Sequence, residues 1–105
     1  MWMLALIAGL AEVRVGDPVP VFQSQAIDPQ AAFETYRIPA LAVTKKGTLL
    51  AFAEGRQSVH DQAANTLVLR RKPKSSKEWE TMRVAFDWSP ASLNNPTVLI
   101  AGSGR

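Results

Sequence analysis

Three charged residues near the ends of predicted strands have the side chains that a site for an anionic ligand needs. Arg37 precedes the first predicted strand, Arg56 follows the second, and Asp61 lies in the loop that leads into the third. A guanidinium group binds a carboxylate through two parallel hydrogen bonds. An aspartate whose pKa is tuned by its neighbours donates or accepts a proton. Together these residue types suit the binding of an anion combined with acid–base chemistry.

A second interpretation of the charged and aromatic residues stays open. Arginines that flank strands are usually solvated or paired with a nearby carboxylate, here Glu54, and loop aspartates usually cap turns. The single histidine, His60, is expected to be an exposed loop residue. The basic run at 70–72 is expected to be a solvated strand end, and Trp79 and Trp88 are expected to anchor packing.

Four short strands in succession are predicted to position the three charged residues. The predicted strands cover residues 40–43, 48–54, 65–71 and 79–86. In an antiparallel meander, the start of the first strand, the end of the second and the start of the third lie at the same end of the sheet. We therefore expect Arg37, Arg56 and Asp61 to share one rim of an all-β fold. A four-stranded antiparallel meander is one blade of a β-propeller or half of a sandwich.

Composition limits the classes of protein and of site. The chain has 105 residues, of which 47% are hydrophobic and 20% charged, as in one small globular domain,. It has no cysteine and one histidine, which excludes disulfides, cysteine-ligated metals and multi-histidine metal sites. No metal or other cofactor is therefore predicted. The net charge of +3 is spread along the chain, so nucleic acid is not an expected partner.

The first residues differ from the rest of the chain. Residues 1–11 are uncharged and almost wholly apolar, with small residues at Gly9 and Ala11. This is the length of the hydrophobic region of a signal peptide and is below the roughly 20 residues that span a bilayer. A short buried element is the alternative. We expect a signal-like segment at 1–16, a folded domain at 17–105, no stable membrane span, and a secreted or periplasmic location.

Several motifs in this order resemble one enzyme family, the exo-sialidases (neuraminidases). The sequence YRIPAL at 36–41 resembles the (F/Y)-R-I-P signature of these enzymes, and LLAFAEGR at 49–56 resembles their second-strand segment. Asp61 followed by LVLRR at 67–71 is similar to their next stretch, and the N-P dipeptide at 95–96 resembles the start of their next blade.

The resemblance implies a fold and a reaction. The fold would be the first blade, plus the start of the second, of a six-bladed β-propeller. The chain would be the N-terminal part of an exo-α-sialidase that cleaves terminal sialic acids from glycoconjugates. Arg37 would be the first of three arginines that clamp the sialic-acid carboxylate, and Arg56 would lie near the ring substituents. Asp61 would be the general acid/base, beside a tyrosine nucleophile.

The resemblance also sets expectations for what this chain lacks. At about 40–45 residues per blade, 105 residues hold about two blades. The single tyrosine, Tyr36, belongs to the first motif rather than to the nucleophile position. The stretch KPKSSKEW at 72–79 keeps only the tryptophan of the family's S-x-D-x-G-x-T-W box. We expect a catalytically inactive fragment that self-associates through open sheet edges. The alternative is a non-catalytic β-domain that binds carbohydrate or protein.

Overall fold

A computed structural model of the chain describes residues 12–60 and 63–105. Its four strands form one antiparallel sheet in the order β1-β2-β3-β4. They are β1 (Thr35–Val43), β2 (Leu49–Arg56), β3 (Asn65–Lys72) and β4 (Arg83–Phe86). The described ranges contain no helix, and so none that is long and apolar enough to cross a membrane. The predicted all-β, four-stranded meander is confirmed, whereas the signal-like residues 1–11 lie outside the described residues.

The turn between β1 and β2 follows from its sequence, TKKGT. The N–H of Gly47 donates to the carbonyl of Thr44 at 2.9 Å, and Gly47 has a φ of 85°. The Thr44 hydroxyl accepts a hydrogen bond from the N–H of Thr48 at 3.0 Å. Glycine adopts this left-handed conformation without steric cost. The turn therefore brings β2 back antiparallel to β1.

The first strand begins earlier than predicted, because a bulge lets it continue past a proline. Pairing shifts between Arg37↔Glu54 and Ala40↔Phe52, so two residues of β1 stand opposite one of β2. One of the two is Ile38, with a φ of 51°. Pro39 has no N–H to pair, but β1 is an edge strand, where proline is tolerated. Arg37 thus lies inside β1 rather than before it.

The predicted bounds of two other strands were also wrong. β2 ends at Arg56 rather than at Glu54, so Arg56 lies inside the strand rather than after it. The fourth strand begins at Arg83 rather than at Trp79. In the segment before β4, the Arg70 guanidinium binds the carbonyls of Glu80 at 2.8 Å and Trp79 at 3.3 Å. A side chain therefore occupies backbone acceptors that a longer strand would use.

Arg70 is part of the fold rather than of a solvated strand end, so that prediction was wrong for this residue. Besides its bonds to the β3–β4 connection, its guanidinium donates to the carbonyl of Val21 at 2.6 Å. One side chain thus links β3 to a segment before β1. The expectation for Trp88 was also wrong, because this side chain is 67% exposed and lies edge-on to Phe86.

One face of the sheet, which we call the aromatic face, holds the hydrophobic core. Ala53 of β2 pairs with Val68 of β3, and both are buried under Phe33. Tyr36 packs against this cluster with its ring stacked on Phe22 at 5.2 Å and edge-on to Phe33 at 5.8 Å. Aromatic pairs at these separations add to the stabilisation from burial. Residues that precede β1 therefore cover this face.

Candidate functional site

The opposite face of the sheet, which we call the polar face, buries charged and amide side chains at one rim. Glu54 and Arg56 are two residues apart on β2, so their side chains leave the same face. Arg56 pairs with Asn65 at the start of β3, and Glu54 pairs with Arg37 of β1. Glu54, Arg56 and Asn65 are 0%, 3% and 2% exposed. Buried charges of this kind require partners.

Glu54 and Arg56 form a buried ion pair. The Arg56 Nε atom donates to Glu54 Oε2 at 2.8 Å, and Arg56 Nη2 donates to the same oxygen. The Asn65 amide nitrogen lies 3.5 Å from that oxygen as well. The interpretation that arginines near strand ends pair with Glu54 is therefore correct for Arg56, although the pair is buried and not solvated.

A segment that follows β4 returns to this rim and closes it. The N–H of Asn95 donates to Glu54 Oε1 at 2.6 Å. The Asn65 side chain donates to Asn94 Oδ1 at 2.7 Å and accepts a hydrogen bond from the N–H of Leu93. Residues 93–95 are thus attached to β2 through Glu54 and to β3 through Asn65.

A cavity of about 270 Å³ lies between the rim and this returning segment. It is lined by Arg37, Ile38, Arg56, Asn94 and Asn95. Two of the lining residues have left-handed backbone, Ile38 with a φ of 51° and Asn95 with a φ of 56°. For a β-branched residue such as Ile38 this conformation is strained, and strain of this kind concentrates at ligand sites.

The structure brings together two of the three predicted site residues. Arg37, which is exposed, and Arg56, which is buried, line the same cavity. Asp61 lies outside the described residues, and its predicted role stays a prediction. His60 is exposed, as predicted. Across the described residues, no three His, Asp or Glu side chains form a group that could hold a metal ion.

Sequence reasoning missed two parts of this site. It treated Glu54 only as a solvated partner of arginine, and it assigned no site role to Asn65 or to residues 94–95. A signal for Glu54 was present, because the alternation of LLAFAEGR puts Glu54 and Arg56 on one face,. No local pattern indicates the contact between residues 93–95 and Asn65, which are about 29 residues apart.

The single tyrosine belongs to the aromatic face, not to the cavity. Tyr36 lies between the rings of Phe22 and Phe33. Burial raises the pKa of its phenol above 10.0. That Tyr36 does not provide the nucleophile stays a prediction.

A larger cavity of about 500 Å³ lies at the opposite end of the sheet, near the β1–β2 turn. Its cationic residues are Lys45, Lys46 and Arg71. The two lysines are exposed, and the ammonium of Lys45 donates to the carbonyl of Gly102. Exposed lysines on a turn are ordinary surface residues. The smaller cavity is the stronger candidate, because its lining includes Arg56, a buried guanidinium held by hydrogen bonds to Glu54.

Several known proteins with similar sequences are named as sialidases. Sialidase-2 of Mus musculus is 49% identical over 75 residues, covering 70% of this chain and 18% of the relative. A sialidase of Micromonospora viridifaciens is 35% identical over 79 residues, covering 74% of this chain and 12% of the relative. An exo-alpha-sialidase of Arthroderma benhamiae is 26% identical over 130 aligned residues, covering 97% of this chain and 32% of the relative.

These matches cover most of this chain but a minor part of each relative. The chain spans about a third or less of the length of the curated relatives that it matches. No protein-family model and no solved structure matches it. The resemblance recognised from the motifs is confirmed by fungal, bacterial and mouse proteins alike.

Proposed function

Because this chain is related to the sialidase family, we propose that it is the N-terminal part of a sialidase-type glycoside hydrolase that acts on terminal sialic acids. The observation that carries the proposal is the cavity of about 270 Å³ that both Arg37 and Arg56 line. The relatives support the same chemistry, since their names are those of sialidases. The four-stranded sheet would then be the first blade of a six-bladed propeller.

Each predicted site residue takes one role in this proposal. Arg37 binds the carboxylate of the sialic acid, for which a planar guanidinium offers a two-point contact. Arg56 lies deeper in the same cavity and contacts the ring substituents. Asp61 protonates the oxygen of the leaving group as general acid. A neutral tyrosine nucleophile avoids the repulsion that a carboxylate would suffer from the substrate's own carboxylate.

Binding of N-acetylneuraminic acid to the 105-residue chain tests the proposal. In a titration followed by two-dimensional NMR, we expect amide shifts around Ile38, Arg56 and Asn95, with a Kd of about 1 mM. Arg37→Lys should weaken binding, because it replaces a planar fork by a point charge. Arg83→Lys, at an exposed position, is the matched control. Absence of saturable shifts in the unsubstituted chain would refute the proposed function.

We also propose that the 105-residue chain does not catalyse hydrolysis by itself. Its one tyrosine is packed against phenylalanine rings, and one clamp arginine leaves most of the transition-state charge unstabilised. Incubation of the purified chain with a fluorogenic sialoside should release no fluorophore above the rate of the buffer. Turnover that disappears in Arg37→Ala would contradict this part of the proposal.

Exposed apolar side chains at both edges support self-association. Leu41 and Val43 on β1 are 67% and 54% exposed, and Val84 and Phe86 on β4 are 58% and 53% exposed. Open strand edges with apolar side chains pair readily with other chains. Sedimentation velocity should give a mean mass that rises with concentration. A monomer at all concentrations would contradict this expectation.

A secreted or periplasmic location, proposed from residues 1–11, is tested by cell fractionation.

A further inference from the structure

The carboxylate of Glu54 holds the two walls of the candidate cavity together. Its side chain is fully buried. One oxygen accepts hydrogen bonds from Arg56 Nε, at 2.8 Å, and from Arg56 Nη2, while the other accepts from the N–H of Asn95 at 2.6 Å. Arg56 is on β2 and Asn95 is on the returning segment, and both line the cavity. Glu54 therefore contacts both walls directly, while Asn65 holds the returning segment to β3.

Glu54 also determines how the Arg56 guanidinium is oriented and what charge it presents. A guanidinium has five N–H donors in one plane, and Glu54 receives donors from two of its nitrogens. These bonds fix the plane of the guanidinium. A carboxylate in direct contact also cancels the net charge of the guanidinium. Arg56 is thus suited to neutral hydrogen-bond acceptors rather than to an anion.

We propose that Glu54 is a positioning residue, which orients Arg56 toward the neutral hydroxyl and carbonyl groups of a sialic acid while Arg37 binds the carboxylate. This division of roles rests on the proposed function, since it presumes that a sialic acid occupies the cavity. It divides one ligand between two arginines that differ in burial: Arg37 is exposed, and Arg56 is buried beside Glu54. Glu54 itself does not touch the ligand.

A comparison of two ligands separates the two roles. The probes are N-acetylneuraminic acid and its methyl ester, which has no charge on the carboxyl group. Glu54→Gln keeps the shape of the side chain but removes the charge, and it should weaken both ligands by about fivefold, the effect of about one hydrogen bond. Arg37→Gln should weaken the acid strongly and the ester little. Glu78→Gln, at an exposed position, is the control and should change neither.

The outcomes separate failure of the inference from failure of the proposed function. If the unsubstituted chain binds neither ligand, the proposed function is wrong, and the role of Glu54 falls with it. If the chain binds the acid and Glu54→Gln binds both ligands with unchanged affinity, the role of Glu54 is wrong and the function stands. A change in Glu54→Gln that is confined to the acid, of either sign, would also overturn it, because loss of the position of Arg56 should affect both ligands alike.

A second measurement follows the position of the groups without any ligand. In Glu54→Gln, we expect faster hydrogen exchange at the Asn95 amide and a shifted Arg56 Nε–H signal, with unchanged amide signals for Ala53 and Val68 in the core. Should Glu54→Gln fail to fold, Glu54→Asp keeps the charge but is one methylene shorter. The shorter carboxylate of Glu54→Asp should then accept hydrogen bonds from the Arg56 guanidinium or from the Asn95 N–H, but not from both. The positioning role of Glu54 would be overturned if the variant that folds showed unchanged hydrogen exchange at the Asn95 amide and an unchanged Arg56 Nε–H signal.

Discussion

The two faces of this sheet are buried by opposite means. On the aromatic face, Phe33 covers Ala53 and Val68, and burial of apolar surface is itself stabilising,. On the polar face, Glu54 and Arg56 are equally buried but lose their hydration, which their mutual contact and hydrogen bonds must offset,. The comparison indicates that burial of the polar face adds less to the free energy of unfolding than burial of the aromatic face does. Its arrangement is better explained by the geometry that it imposes on the cavity.

The largest expected effect comes from removing one member of the buried pair. Glu54→Leu leaves the Arg56 charge buried without its carboxylate, so the free energy of unfolding should fall by about 3–5 kcal/mol. Urea denaturation followed by tryptophan fluorescence measures it. The double variant Glu54→Leu/Arg56→Met should recover most of the loss, since an apolar pair of similar volume is often neutral. If the single variant is as stable as the unsubstituted chain, the pair is not desolvated and the comparison of the two faces fails.

A substitution on the aromatic face tests how tightly that face is packed. A Cβ at Gly55 would lie 2.7 Å from the ring of Phe33. Gly55→Ala should therefore lower the free energy of unfolding by about 1–3 kcal/mol, the usual range for overpacking. At Gly16 a Cβ would meet nothing within 4 Å, so Gly16→Ala is a matched control with a much smaller effect. Equal denaturation midpoints for the two variants would show that Phe33 does not seal this face.

A smaller effect concerns pH, through Tyr36 on the aromatic face. Burial raises the pKa of this phenol above 10.0 in the folded chain. The unfolded chain therefore loses this proton first as pH rises. The resulting stability is complete below pH about 10 and is lost as pH rises through the folded pKa. Because the chain has one tyrosine, absorbance of the phenolate reports its titration directly.

The matched control for this pH dependence is Tyr36→Phe, which keeps the ring and removes the ionisable group. Its stability should fall less steeply with pH above 10 than that of the unsubstituted chain. Identical pH profiles of the two proteins would indicate that Tyr36 is hydrated in the folded state. The aromatic face would then be less well sealed than its ring contacts indicate.

The smallest effect is expected at an ion pair on the surface. Arg83 Nη2 lies 3.3 Å from Glu80 Oε2, and these side chains are 62% and 33% exposed. Arg83→Gln should change the free energy of unfolding by less than about 1 kcal/mol, because exposed pairs gain little in water. Thermal unfolding at low and high salt is the measurement. A loss comparable to that of Glu54→Leu would mean that burial does not distinguish the two pairs.

Much of the fold could be predicted from local patterns. Alternation in the segment 65–71 predicts a strand with Leu67 and Leu69 on one side and Val68 on the other, which the register confirms,. The glycine of TKKGT predicts the first hairpin. The predicted strand bounds were wrong where the position of a strand in the sheet, or a contact from another segment, outweighed a local sequence rule. Pro39 is accommodated by a bulge on an edge strand,, and Arg70 occupies carbonyls near the fourth strand.

What the sequence by itself determined is the all-β class, the order of the strands, the family relationship and the placement of Arg37 and Arg56 at one end of the sheet. The class, the strand order and the placement follow from side-chain periodicity and from the antiparallel return of short strands, which are local properties. The family relationship follows instead from the resemblance of short motifs such as YRIPAL and LLAFAEGR to those of the sialidases. Only the tertiary structure decided that Glu54 and Arg56 are buried together and that residues 93–95 close the cavity. Burial depends on which distant segment covers a face, and no spacing within a strand encodes that contact.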